Sequence, residues 1–123
     1  MQNDKSKFKN EFRERTYRFA LDVIEFIDTL PKDQTCRIIG GQLLRSATSI
    51  GANIVEAQAA SSKRDYTNFF SYALKSANET KFWLGLLGDS GKTQRDKSDK
   101  LLKEAKEIAN VLATSILTLK GRK

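Results

Sequence analysis

The stretch TQRDKSDKLLKEAKEIANVLATSILTL, residues 93–119, sets Leu101, Ala105, Ile108, Leu112, Ile116 and Leu119 in near-heptad order. Apolar side chains recurring at three- and four-residue steps line one face of a helix. Thr93-Gln94-Arg95-Asp96 has the composition of an N-terminal cap and is where this helix is expected to open. Between the apolar positions, Lys97, Lys100, Lys103 and Lys106 interleave with Asp96, Asp99, Glu104 and Glu107, a pattern that reads as surface ion pairing along one helix.

The same period recurs upstream. Phe12, Phe19, Val23, Phe26, Ile27 and Leu30 mark a helix over 12–30 that Pro31 should end, because its ring disfavours helical backbone in the residue before it. A second pattern runs from about Gln34 to Ala60 with Ile39, Leu43, Ala47, Ile50 and Ile54 on one side. Gly40-Gly41 costs it on the order of 1 kcal/mol per glycine relative to Ala, so the firm helix is expected to begin near Gln42. Ser61-Ser62 supplies the next turn. Ser62-Lys63-Arg64-Asp65 is a capping box for a third helix through Tyr66, Phe69, Phe70, Ala73, Ala77, Leu84 and Leu87, which should end in Gly88-Asp89-Ser90-Gly91. With no strand signal and no repeat, four amphipathic helices on short connections predict an all-α, up-down-up-down antiparallel four-helix bundle occupying 1–123 as one domain, with basic ends at 1–9 and 120–123.

Composition limits the chemistry. The chain has 123 residues, no His and one Cys, which removes the usual general base near neutral pH and leaves no thiolate set for zinc. We therefore expect no enzyme, no cofactor and no metal; a carboxylate base at Glu56 or Glu79 has no nucleophile, metal set or cofactor loop to work with. Gly91-Lys92-Thr93 mimics the end of a phosphate-binding loop, but Leu86 stands where the motif requires Gly and a helix stands where it requires a strand. Short apolar runs and a polar N-terminus predict no membrane span and a cytoplasmic location, in keeping with the lone Cys36.

The third helix has more apolar surface than one core face uses. At about 100° per residue, Tyr72, Phe82, Trp83 and Leu86 fall on its back and predict a homo-oligomer interface. On the second helix, Gln42, Arg45, Ser49, Asn53 and Glu56 form a polar stripe beside the apolar face. Two readings remain open for it: a hydrogen-bond network that fixes helix register, or a groove for a ligand or nucleic acid. The carboxylate beside Arg45 favours the first, and Glu79 is expected to pair with Arg45 across helices two and three.

Residues 42–56, QLLRSATSIGANIVE, resemble the signature of the 23S rRNA intervening-sequence proteins, also called the S23 or four-helix-bundle protein family. Leu30-Pro31, residues 64–69 and Ser76-Ala77-Asn78-Glu79 extend the likeness, which spans roughly Phe12 to Leu119. The chain departs from the family pattern at Leu44, where a second arginine is usual, and at Ala57, where a glycine follows the glutamate. The resemblance implies bundles assembled into rings, typically pentamers, without established enzymatic activity. It also implies a distant similarity to the accessory protein of diversity-generating retroelements, a basic pentamer that binds nucleic acid and a reverse transcriptase.

The formal charge is +7, which favours an anionic partner. Residues 1–20 carry six basic and three acidic side chains, 21–62 three and five, and 63–123 thirteen and seven. In the expected topology Lys5, Lys7, Lys9, Lys63, Arg64, Lys120, Arg122 and Lys123 gather at one end of the bundle. Repeated around a ring, that end would form a cationic rim for structured RNA, ribosomal RNA included, or for other nucleic acid, with Arg45 as a further contributor. Solvated basic tails are the plainer reading of the same residues. The functional alternative is a protein-interaction scaffold or an accessory subunit of a nucleic-acid enzyme such as a reverse transcriptase.

Overall fold

The structure, a computed structural model, describes residues 4–121. Those residues form four helices and no strand: α1 (Asp4–Asp28), α2 (Gln34–Gln58), α3 (Lys63–Asp89) and α4 (Arg95–Leu119). Each helix packs on the next in sequence, α2 and α3 most extensively, and α1 closes against α4 over a much smaller area. The result is a four-helix bundle.

The apolar periods fix which faces turn inward. Phe12, Phe19, Val23 and Phe26 of α1 meet Leu43, Ala47, Ile50 and Ile54 of α2, Phe70, Ala73, Ala77, Leu84 and Leu87 of α3, and Leu101, Ala105, Ile108, Leu112 and Ile116 of α4 in one buried cluster. Burying each large apolar side chain contributes about 1.5–3 kcal/mol, which is why this pattern dominates local preferences. Tyr66 and Leu119 only border the core.

Local preference yields in four places. α1 begins at Asp4, two turns before Phe12, so its first stretch is a helix with every side chain exposed up to Glu11. α2 runs unbroken from Gln34 through Gly40-Gly41, contrary to the expected start near Gln42. Asp33 explains the early start: its side chain accepts from the Cys36 N–H at 2.7 Å, capping the helix well before the glycines. Gly88 belongs to α3 and is buried rather than part of the turn, because α4 crosses so close that a Cβ there would lie 2.6 Å from Ser98 Oγ. The chain reverses instead at Gly91, whose φ of +76° suits a residue without a Cβ. α4 has Gln94 at its N-cap with no side-chain cap bond, so the expected cap chemistry at residues 93–96 is absent.

The third helix starts as its capping residues dictate, with Ser62 Oγ accepting from the Asp65 N–H at 3.1 Å. The charge pattern on α4 is used differently from the expected same-helix pairing. Glu104 and Glu107 turn to α1, where Arg15 donates to both Glu104 oxygens at 2.7 Å and to Glu107 at 3.0 Å. These carboxylates hold the Arg15 guanidinium above its ordinary pKa. A two-pronged clasp thus spans the seam where apolar contact is thinnest.

Candidate nucleic-acid interface

Where α1 starts, α3 starts and α4 ends, the helices leave a groove of about 870 Å³. Lys5 and Lys9 reach it from α1 and Lys63 from α3; Phe8, Tyr66, Phe70, Val111 and Leu119 supply its apolar walls, and α4 adds hydroxyls and one amide. No carboxylate lines it. Lys9 Nζ lies 5.1 Å from the centroid of the Tyr66 ring, whose phenol pKa is pushed up by burial. The same ring stacks on Phe70 at 4.9 Å. α2 abuts the same end, since Gln58 accepts from Arg13 at 2.9 Å and donates to the Lys9 carbonyl at 3.4 Å.

Of the eight basic residues expected to converge, the structure brings Lys5, Lys9 and Lys63 to this groove. Lys7, Arg64 and Lys120 are exposed and do not line it. Arg122 and Lys123 lie outside the described residues. Lys92, in the Gly91-Lys92-Thr93 turn, pairs with Asp33 at 3.0 Å and thereby ties the α3–α4 connection to the start of α2. That contact and the Cys36 N–H hold the Asp33 carboxyl down at about 2, the backbone donor being the larger cause.

The polar stripe of α2 divides. Arg45 pairs with Glu79 of α3 and donates to Gln42 Oε1 at 3.0 Å. Trp83 Nε1 donates to Glu79 Oε2 at 3.0 Å, adding a member that the stripe did not include. Ser49 and Asn53 instead bond back to carbonyls of their own helix, at 2.7 Å to Arg45 O and 2.9 Å to Ser49 O. Glu56 is exposed and stands apart from the network. Beneath this surface, Thr80 Oγ1 donates to Ser46 Oγ at 2.9 Å, a fully buried polar pair across α2 and α3.

Two apolar surfaces face solvent. On α3, Tyr72 is 51% exposed, Phe82 61% and Leu86 38%. Trp83 departs from the expected outward strip, being half-buried against the core with its indole N–H committed to Glu79. A second surface, between α1 and α2, exposes Tyr17, Leu21, Ile24 and Val55 around a groove of about 710 Å³. The signal for it was in the sequence: residues 17, 21 and 24 repeat at helical spacing off the core face of α1.

The sequence pattern of the 23S rRNA-intervening sequence protein family matches residues 9–114. The chain belongs to that family. A crystal structure of a protein of unknown function from the S23 ribosomal protein family of Bacteroides thetaiotaomicron is similar to this family member at 35% identity and a TM-score of 0.82, over 88% of this chain and 96% of that one. No curated protein matches the chain. The matched span includes residues 42–56, whose Arg45 meets Glu79 in the folded chain. Among the described residues of this family member, no helix is long and apolar enough to cross a membrane.

Proposed function

We propose that this 23S rRNA-intervening sequence family member is a non-enzymatic, cytoplasmic homo-oligomer that binds structured RNA or other nucleic acid through the basic end of an up-down-up-down antiparallel bundle. The observation that carries the reading is the groove at that end, where Lys5, Lys9 and Lys63 from two different helices share one opening without a carboxylate. Three cations converging from separate elements are a phosphate-binding arrangement, because each neutralised phosphate releases condensed counterions. Lys7, Arg64 and Lys120 extend the positive field around the opening. Arg45 is left out of the binding set, since Glu79 already offsets its charge.

A ring closes by joining two different patches on each subunit. The α3 strip and the α1–α2 surface are two such patches on separate elements, and they support self-association of the kind the family resemblance implies, a pentamer. The same apolar α1–α2 groove favours the second reading, a scaffold or accessory subunit for a nucleic-acid enzyme. Recovery of one protein partner after nuclease treatment would favour that reading.

Binding of a ribosomal RNA hairpin and of duplex DNA, followed by anisotropy across a salt series, tests the proposal. Affinity should fall steeply and linearly on a log–log plot, with a slope near minus one per phosphate contact. Absence of binding at low salt, or affinity independent of salt, would contradict it.

A further inference from the structure

Phe8 is the odd residue at the basic end. It is 45% exposed in a stretch of α1 where its neighbours are charged or polar, yet it lines the groove with Lys5, Lys9 and Lys63. Its ring lies parallel to that of Phe12, with centroids 5.9 Å apart and planes 4° from parallel. Tyr66 is more committed, being half-buried, stacked on Phe70 and covered by Lys9. The groove therefore combines one exposed aromatic ring, apolar walls and three cations.

A duplex cannot use that combination. Its bases are stacked inside, and it offers a protein mainly phosphates and groove edges. An unpaired nucleotide offers a charged phosphate and a π-face together, and stacking of one base on an aromatic side chain is worth about 1–3 kcal/mol. A volume of about 870 Å³ falls in the range of cavities that enclose compact organic ligands. The lining lacks any acidic side chain, so nothing in it repels the backbone.

We propose that this groove takes unpaired nucleotides, from a loop or bulge of RNA or from single-stranded DNA, with a base stacked on Phe8 and adjacent phosphates on Lys5, Lys9 and Lys63. This inference rests on the nucleic-acid reading of the basic end and names the part of the ligand that the groove selects.

The test uses the full chain and four labelled probes at one low salt concentration: a short oligouridylate, the matching oligothymidylate, a blunt duplex of equal charge, and polyglutamate. Single strands should bind about tenfold more tightly than the duplex, and polyglutamate should bind weakly. The oligouridylate and oligothymidylate arms report whether RNA or DNA is preferred. Phe8→Leu keeps apolar volume without a ring and should lose about tenfold in single-strand affinity while duplex affinity holds; Phe8→Tyr should retain binding. Thermal melts of both variants control for folding. If Phe8→Leu changes nothing while Lys63→Glu weakens every nucleic acid, the groove inference is overturned and the basic-end reading stands. If no nucleic acid binds, both fall. If polyglutamate binds as tightly as the single strands, the site is one for acidic peptides and the inference is overturned.

Discussion

Gly88 lies in the last turn of α3, buried, where a Cβ would come within 2.6 Å of Ser98 Oγ and 3.4 Å of Ser98 Cβ. A glycine in a helix costs stability through backbone entropy, so its presence here reflects the close crossing of α4. Gly88→Ala should lower stability by about 1–2 kcal/mol through overpacking, and adding Ser98→Ala should recover most of that loss, as read from urea midpoints. Asp33 makes a second residue-scale prediction. Its folded pKa of about 2 lies below its ordinary value of 3.8. The unfolded chain therefore takes up a proton first as pH falls, and Asp33's contribution, complete above about pH 5, fades through pH 4 toward 2. Asp33→Asn keeps a capping oxygen but does not titrate, so the stability gap between wild type and variant should shrink over that range. A gap that stays constant would contradict this assignment. The sequence did not expose either device. The Gly88 contact depends on which helices cross, and the glycine pair downstream masks Asp33 as a cap.

At the scale of the element, the apolar period located all four helices because each one's buried face follows the same three- and four-residue rule. Their ends were harder to read, since ends depend on single hydrogen bonds and on turns with little buried surface. Ser62 marks a clear start and Pro31 a stop that falls two residues early, at Asp28, whereas the first two turns of α1 carry no core residue and a single apolar side chain, Phe8. Gly40 and Gly41 illustrate how packing decides. A Cβ at Gly40 would meet Ile27 and Leu30 at ordinary contact distances, and one at Gly41 would meet nothing within 4 Å. Gly41→Ala should therefore raise stability by about 0.5–1 kcal/mol, measured as an upward shift in the urea midpoint. No gain, or a loss, would mean that α2 is not regular at that point. The Arg15 clasp belongs to this scale too. It spans α1 and α4 where the sequence pattern of α4 alone suggested that its carboxylates would stay with neighbouring lysines.

For the molecule as a whole, the charge count by segment indicated a basic end, and the fold places Lys5, Lys9 and Lys63 around one groove there. What the count omitted was shape: Phe8 and the apolar walls are invisible to charge arithmetic, because a groove arises only where α1, α3 and α4 meet. The apolar face shared by α1 and α2 is hard to see in the sequence for a related reason, since each of those two helices, unlike α3, shows one dominant apolar side. The proposed ring rests on two exposed patches on different elements. Light scattering at micromolar concentration should give several times the monomer mass, and Tyr17→Glu with Phe82→Glu should reduce it. A monomeric mass for the unmodified chain would remove the ring. The most direct measurement on the central claim is the affinity of a Lys5→Glu, Lys9→Glu, Lys63→Glu triple variant for a ribosomal RNA hairpin at low salt, with its thermal melt as a folding control. The account predicts a folded variant that binds at least a hundredfold more weakly than the unmodified protein; a folded variant with unchanged affinity would contradict it.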